Sequence, residues 1–192
     1  MARPREFDRD AALEKALRVF WAKGFAATST DDLRQAMGIG RQSLYGAFGD
    51  KRKLYLEALD AYQQRATSGH LKRLSAGNPI EGIENLLAGV VAEDDEERAL
   101  GCMGVGSVGE FGVTDAELNE RRKIFGELLC KGITARIREG QQQGRIDGSL
   151  DPQDAGAFVL MTMTGLQLAA RGGSSSEHLK AMARFATERL KN

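Results

Sequence analysis

Apolar residues recur at helical spacing along almost the whole chain, and glycine, proline and small polar residues interrupt the pattern where helices should end. Leu13, Ala16, Leu17 and Phe20 form the first stripe, with Asp8 placed to cap it and Gly24 to stop it. Ser29-Thr-Asp-Asp32 fits a capping box and opens a short second helix, with Leu33, Ala36 and Met37 as its inner face and Gly38 as its end. A third short helix follows Gly40, with Leu44 and Phe48 one turn apart and pointing inward. Gly49-Asp50 stops it, and Asp50 caps a fourth helix whose stripe is Leu54, Ala58, Leu59 and Tyr62.

Gly77-Asn78-Pro79 is a break. A helix over about 80–92 then runs into the acidic stretch Glu93-Asp-Asp-Glu-Glu97, which reads as a solvated loop, since consecutive carboxylates cannot all face one metal ion. A long helix is expected over about 114–140, with Phe125, Leu128, Leu129, Gly132 and Ile133 as one stripe. Asp151-Pro152 opens another, to about Arg171, that is apolar on much of its circumference, from Phe158 to Leu168. Gly172-Gly173 and three serines end it, and a last helix runs to the C-terminus. No alternating β pattern of useful length and no internal repeat occurs, so the fold class is all-α.

The 192 residues allow one ordinary domain or a small domain joined to a larger one. A hydrophobic fraction of 42% and a charged fraction of 28% are those of a soluble globular chain. No window reaches the roughly 18 apolar residues of a membrane span, so no membrane partner is expected. The start MARPREFDRD lacks the apolar stretch of a secretory signal. Cys102 and Cys130 lack metal-type spacing and suit a reducing compartment, which places the protein in the cytoplasm. Net charge is zero, but residues 1–53 hold eleven Lys+Arg against seven Asp+Glu, leaving an acidic remainder.

Three short helices before residue 50, with the tight turn Met37-Gly38-Ile39-Gly40 between the second and third, describe a helix-turn-helix unit. The open face of the third helix carries Arg41, Gln42, Ser43 and Tyr45. Arginine can fork to guanine and glutamine can pair with adenine, while serine and tyrosine hydroxyls can reach phosphate. Backbone N–H groups at the starts of the second and fourth helices also favour phosphate, and Lys51 sits at the latter. Gly40 permits the turn, and Gly46 leaves room for close approach to a nucleic-acid backbone.

Residues 8–59 resemble the N-terminal domain of the tetracycline-repressor (TetR) family of bacterial transcriptional regulators. The resemblance is carried by Ala16, Phe20, Lys23-Gly24-Phe25 and Ala27-Thr28-Ser29, then Asp32-Leu33 and Ala36-Met37-Gly38-Ile39. It continues through Ser43-Leu44-Tyr45, Phe48-Gly49-Asp50-Lys51, Leu54 and Ala58-Leu59 without a gap. It implies a DNA-binding domain over 1–53 and a helical effector-binding and dimerisation domain over 54–192. It implies a homodimer on a palindromic double-stranded DNA operator, acting as a repressor released by a small molecule. Arg41, Gln42 and Ser43 would then face bases, Tyr45 and Lys51 would hold phosphate, and Ser29 or Thr30 would touch the backbone. Gly46-Ala47 stands where the family often has bulkier or basic residues, so those side-chain contacts are lost here. Arg3-Pro-Arg5 is a candidate arm for phosphate or the minor groove.

The resemblance also implies that the last two long helices, about 151–172 and 176–190, pair with their copies. Gly156, Thr162 and Gly165 would allow close packing there. Candidate effector-pocket residues are Cys102, Met103, Phe111, Phe125, Leu128, Leu129, Met161 and Met163, which favours an apolar or neutral effector. Gly104-Val-Gly106-Ser-Val-Gly109 has the form G-x-G-x-x-G, but no strand precedes it, so no dinucleotide site is read from it. With so many glycines, residues 101–112 are expected to be irregular or a marginal helix able to change shape. No cofactor or metal is expected. Three alternatives stay open: a redox- or electrophile-sensing regulator acting through Cys102, a helical adaptor that has lost DNA binding, and a small all-α enzyme. The last lacks any Ser/His/Asp, metal or phosphate constellation, with His70 and His178 standing alone.

Overall fold

The computed structural model describes residues 7–191, and the candidate arm at Arg3-Pro-Arg5 lies outside them. Among the described residues there are ten helices and no strands. They are α1 (Arg9–Lys23), α2 (Thr30–Met37), α3 (Arg41–Phe48), α4 (Lys51–Leu74), α5 (Pro79–Ala88), α6 (Asp95–Leu100), α7 (Met103–Phe111), α8 (Ala116–Gln142), α9 (Pro152–Arg171) and α10 (Ser176–Glu188).

Side-chain caps set most of the helix starts. The Asp8 carboxylate accepts the N–H groups of Asp10 and Ala11, and Ser29 and Asp32 close a reciprocal capping box around the start of α2. Gly38 ends α2 in the left-handed conformation at φ 69°, which a residue without a Cβ adopts without strain. Asn78 and Glu81 form a second capping box at α5, which ends at Ala88 rather than near 92.

Two apolar cores result. The first gathers Leu17 and Phe20 of α1, Leu33 of α2, Leu44 and Phe48 of α3 and Leu54, Tyr55 and Leu59 of α4, and it takes in Met103 of α7 and Leu118 of α8. The second is built from α5, α8, α9 and α10 around Leu86, Ile133, Ile137, Val159 and Leu179. The expected boundary at 53/54 falls inside α4. Its 24 residues run about 36 Å without interruption from the first core to the second.

One expectation is corrected, and one choice left open is decided. The acidic stretch is not wholly a loop: the Asp94 carboxylate caps the N–H of Glu97, and residues 95–97 form the first turn of α6, where carboxylates suit the helix dipole. The glycine-rich segment is helical as α7. Tertiary packing outweighs the glycine cost there. Met103 is buried, Phe111 packs 5.5 Å from Phe25 and 5.7 Å from Tyr55, and Arg122 donates to the carbonyls of Ser107 and Gly112.

Candidate nucleic-acid interface and effector cleft

The third helix is eight residues long and two-sided. Leu44 and Phe48 are buried in the first core, while Arg41, Gln42, Ser43, Tyr45 and Gly46 are exposed. Gly40 caps α3 without a side-chain hydrogen bond, so the first-turn N–H groups point outward unclaimed by a capping oxygen. The structure brings α2 to this face. Hydrogen bonding from Thr30, and then from Arg41, holds the Tyr45 phenol below its ordinary pKa, and the Arg41 guanidinium stands 5.8 Å from the Tyr45 ring centre. Thr30, Arg41 and Tyr45 thus form one cluster from two helices.

Two of the expected phosphate contacts are already engaged. The Ser29 hydroxyl accepts the Asp32 N–H at 3.0 Å and donates to the Asp32 carboxylate at 2.8 Å. The Lys51 ammonium lies over the Phe25 ring, 4.4 Å from its centre. Lys23 and Ser29 together hold the Asp32 carboxyl far below the usual carboxylate range, with Lys23 the larger cause.

Charged pairs bind this unit to the rest. Arg9 grips Glu57 at 2.5 and 2.7 Å, joining α1 to α4, and Arg65 grips Glu14 at 3.1 and 2.6 Å. Arg52 takes both oxygens of Asp115, the cap of α8, and Arg121 pairs with Asp60. Arg171, at the end of α9, donates to the carbonyls of Trp21 at 3.3 Å and Leu100 at 2.7 Å. Sequence reasoning missed these contacts, because their partners lie far apart along the chain and belong to no periodic stripe.

The eight candidate effector residues do not converge on one cavity. Met103 and Phe111 serve the first core, and Leu129 and Met163 the second. Phe125 is half-buried, while Leu128 and Met161 are 48% and 73% exposed. Cys102 caps α7 at its start, half-buried, and Cys130 is half-buried on α8; both thiols are free. The reason lies in α8 and α9, which carry apolar residues on more than one face, so spacing alone could not tell an inward position from an outward one.

The structure instead opens a cleft of about 880 Å3 where α1 passes α4, α5 and α6, and none of those eight residues lines it. Its walls include Trp21, Tyr62, His70, Arg73 and Arg98. The sequence held a weak signal for it, since Trp21 is the chain's single tryptophan and His70 one of two histidines.

A second outward face is apolar. Phe158, Met161 and Leu168 on α9 and Met182 and Phe185 on α10 are exposed, between 41% and 73%. The small residues of α9 divide. Gly156 packs inward, where a Cβ would press on Thr134 of α8, while Gly165 faces open space beside the apolar stripe. Gly156 therefore serves packing within the chain.

A family model described as "Bacterial regulatory proteins, tetR family" matches residues 12–58. The chain is 34% identical over 150 residues to the uncharacterized HTH-type transcriptional regulator YezE of Bacillus subtilis (strain 168), covering 77% of each. It is 28% identical over 186 residues to the HTH-type transcriptional repressor ComR of Escherichia coli (strain K12), covering 94% of this chain and 88% of that one. It superposes with a TM-score of 0.83 and 29% identity on a cysteine-substituted form of the TetR family transcriptional regulator CifR, solved with 26-bp double-strand operator DNA. That match covers 98% of this chain and 100% of the other. The chain therefore belongs to the tetR family of bacterial regulatory proteins, and it is a transcriptional regulator of the helix-turn-helix type.

Proposed function

We propose that this regulator is a repressor that binds a palindromic operator as a homodimer and releases it when a small molecule occupies the helical body. The observation that carries the reading is α3, a short helix with one face buried and Arg41, Gln42, Ser43 and Tyr45 presented on the other. Arg41 and Gln42 are the base-reading pair, and Ser43 joins them at the base edges. Thr30 and Tyr45 hold phosphate, supported by the free N–H groups at the start of α3; Ser29 stays in its capping box with Asp32 and fixes the start of α2, and Lys51 reaches phosphate by leaving the Phe25 ring. Exposed apolar residues on α9 and α10 support self-association through those helices. Among the described residues no helix is long and apolar enough to cross a membrane, and the site of action is the cytoplasm, where the operator lies.

Fluorescence anisotropy on the DNA upstream of the protein's own gene, in a salt series, tests the reading. Wild type should bind selectively and with a steep salt dependence, and an Arg41→Ala/Tyr45→Ala double variant should lose that binding. Equal, weak binding to operator and random DNA by both proteins would favour the adaptor alternative.

A second reading, sensing through Cys102, is supported by the position of its thiol at the start of α7 and against the Tyr62 phenol, whose pKa is pushed up by burial and then by Cys102. Alkylation by iodoacetamide should then release DNA from wild type and not from Cys102→Ser.

A further inference from the structure

The volume of the cleft between α1, α4, α5 and α6 lies in the range that encloses drug-sized molecules. One wall is aromatic and fixed. Trp21 and Tyr62 meet edge to face, with ring centres 4.9 Å apart. The Trp21 indole N–H is spent on the Gly101 carbonyl at 3.1 Å, and the Tyr62 phenol is engaged by Cys102. These two rings offer apolar surface with no unclaimed polar edge.

Among the charged side chains of the lining, cations outnumber anions. Five Lys and Arg side chains reach the cleft against three carboxylates. Arg65 is held by Glu14, Lys180 by Glu93, and Arg98 by Asp95 and the carbonyls of Ala92 and Glu93. Arg18, exposed on α1, has no ion pair with another described residue and acts electrostatically on the same Glu14. The Arg73 guanidinium likewise has no hydrogen bond or ion pair with another described residue. Its side chain is exposed and runs over Gly69 and Gly89. A Cβ on Gly89 would overlap the Arg73 side chain, and one on Gly69 would sit 3.6 Å from its guanidinium. Neither glycine has a positive φ; at Gly69 the Arg73 guanidinium is what a Cβ would meet, while at Gly89 a Cβ would press on the Asn85 carbonyl as well as on Arg73. One turn away His70 has a buried Nδ1 with no partner, and burial, with Arg73 second, drops its pKa to about 4, so the ring is neutral near pH 7.

From this arrangement we propose that the cleft binds an organic anion, with a carboxylate at Arg73 and an apolar body against Trp21 and Tyr62. The proposal names the effector class within the regulator reading and rests on that reading only for its consequence on DNA. It departs from the apolar or neutral effector expected from the sequence. Because Trp21 belongs to α1, and Arg171 ties its carbonyl to the end of α6, an occupant of the cleft bears directly on the DNA-binding unit.

Binding is measured first without DNA, on the full chain, by the emission of the single tryptophan Trp21. The probes are phenylbutyrate and decanoate, each beside the alcohol of the same skeleton. Either carboxylate should change the emission saturably and bind about ten-fold or more tighter than its alcohol, the range expected for one charge-assisted hydrogen-bonded pair. Arg73→Gln should abolish that preference while leaving the alcohols' affinity and the circular dichroism unchanged. Arg73→Lys should restore part of it. Failure of both carboxylates to bind, equal affinity for acid and alcohol, or a preference untouched in Arg73→Gln would overturn the proposal. Operator anisotropy on the same samples separates the two readings. Saturable carboxylate binding with no operator binding at all would leave the cleft assignment standing and remove the regulator's DNA role.

Discussion

The Glu110 carboxylate, near the end of α7, accepts the backbone N–H of Phe25 at 2.8 Å, joining the turn after α1 to a helix that lies 85 positions further along the chain. The approach depends on Gly24. Its φ of 80° and ψ of 176° lie in a region that side chains rarely adopt, and a Cβ there would overlap the Glu110 carboxylate. The DNA-binding unit is thus latched to the body at a point where the backbone carries no side chain of its own.

Gly24→Ala should destabilise the fold by about 1–3 kcal/mol, from backbone strain and the lost latch together. Glu110→Ala should cost about 1 kcal/mol, since the hydrogen bond is solvent-accessible. The double variant should cost less than the two added, because the latch can be lost only once. Urea unfolding of all four proteins measures the coupling; strict additivity would mean the two residues do not act as a unit.

On α3, the stability and recognition effects of substitution should separate. Gly46 is exposed, and a methyl group added there would meet nothing within 4 Å, so Gly46→Ala should raise stability by up to about 1 kcal/mol. Arg41→Ala and Gln42→Ala should leave thermal unfolding nearly unchanged while each costs about 1–3 kcal/mol of operator affinity and relaxes specificity at its own base pair. Tyr45→Phe should weaken binding to all sequences alike. Loss of stability without loss of affinity at Arg41 would show that the exposed face is not the reading face.

Met161 and Phe185 are 73% and 57% exposed on adjoining helices. A Met161→Glu/Phe185→Glu variant should fold normally, because neither side chain belongs to a buried core, but should elute as a monomer in size-exclusion chromatography with light scattering. Operator affinity should fall with it, since half-site binding loses the second recognition helix. A variant that remains dimeric would place self-association elsewhere.

His70 predicts an acid-sensitive stability. Its pKa falls from 6.5 to about 4 on folding, with burial the main cause and Arg73 the second. The unfolded chain therefore binds a proton that the folded chain rejects between those values. The stabilising contribution is complete above pH about 6.5 and is lost progressively as pH falls towards 4, by about 3 kcal/mol at most. Chemical unfolding at several pH values should show a shallower slope over that window in His70→Asn than in wild type; identical slopes would assign the acid loss to carboxylates.

Much of the DNA-binding unit was legible from local pattern. Asp8, Ser29 and Asp50 cap where their residue type predicts, Gly38 ends its helix, and Leu44 and Phe48 lie one turn apart on the buried face, all consequences of interactions within a few residues. The open face of α3 followed, because a short helix with two anchoring apolar residues must turn the others outward. Positions governed by contacts distant in sequence were not legible. The helicity of α7 depends on packing against α1, α4 and Arg122, none of which its glycines announce. Whether Met161 or Met163 enters the core was undecidable on a helix apolar on much of its circumference, and only packing against α8 and α10 turned Met163 inward. The helices, their caps and the exposed face of α3 were written into the order of residues, because these arise from short-range hydrogen bonding and period. The cleft at Arg73, the latch at Glu110 and the free apolar stripe came from the folded arrangement alone, because each is made by side chains that only folding brings within reach of one another.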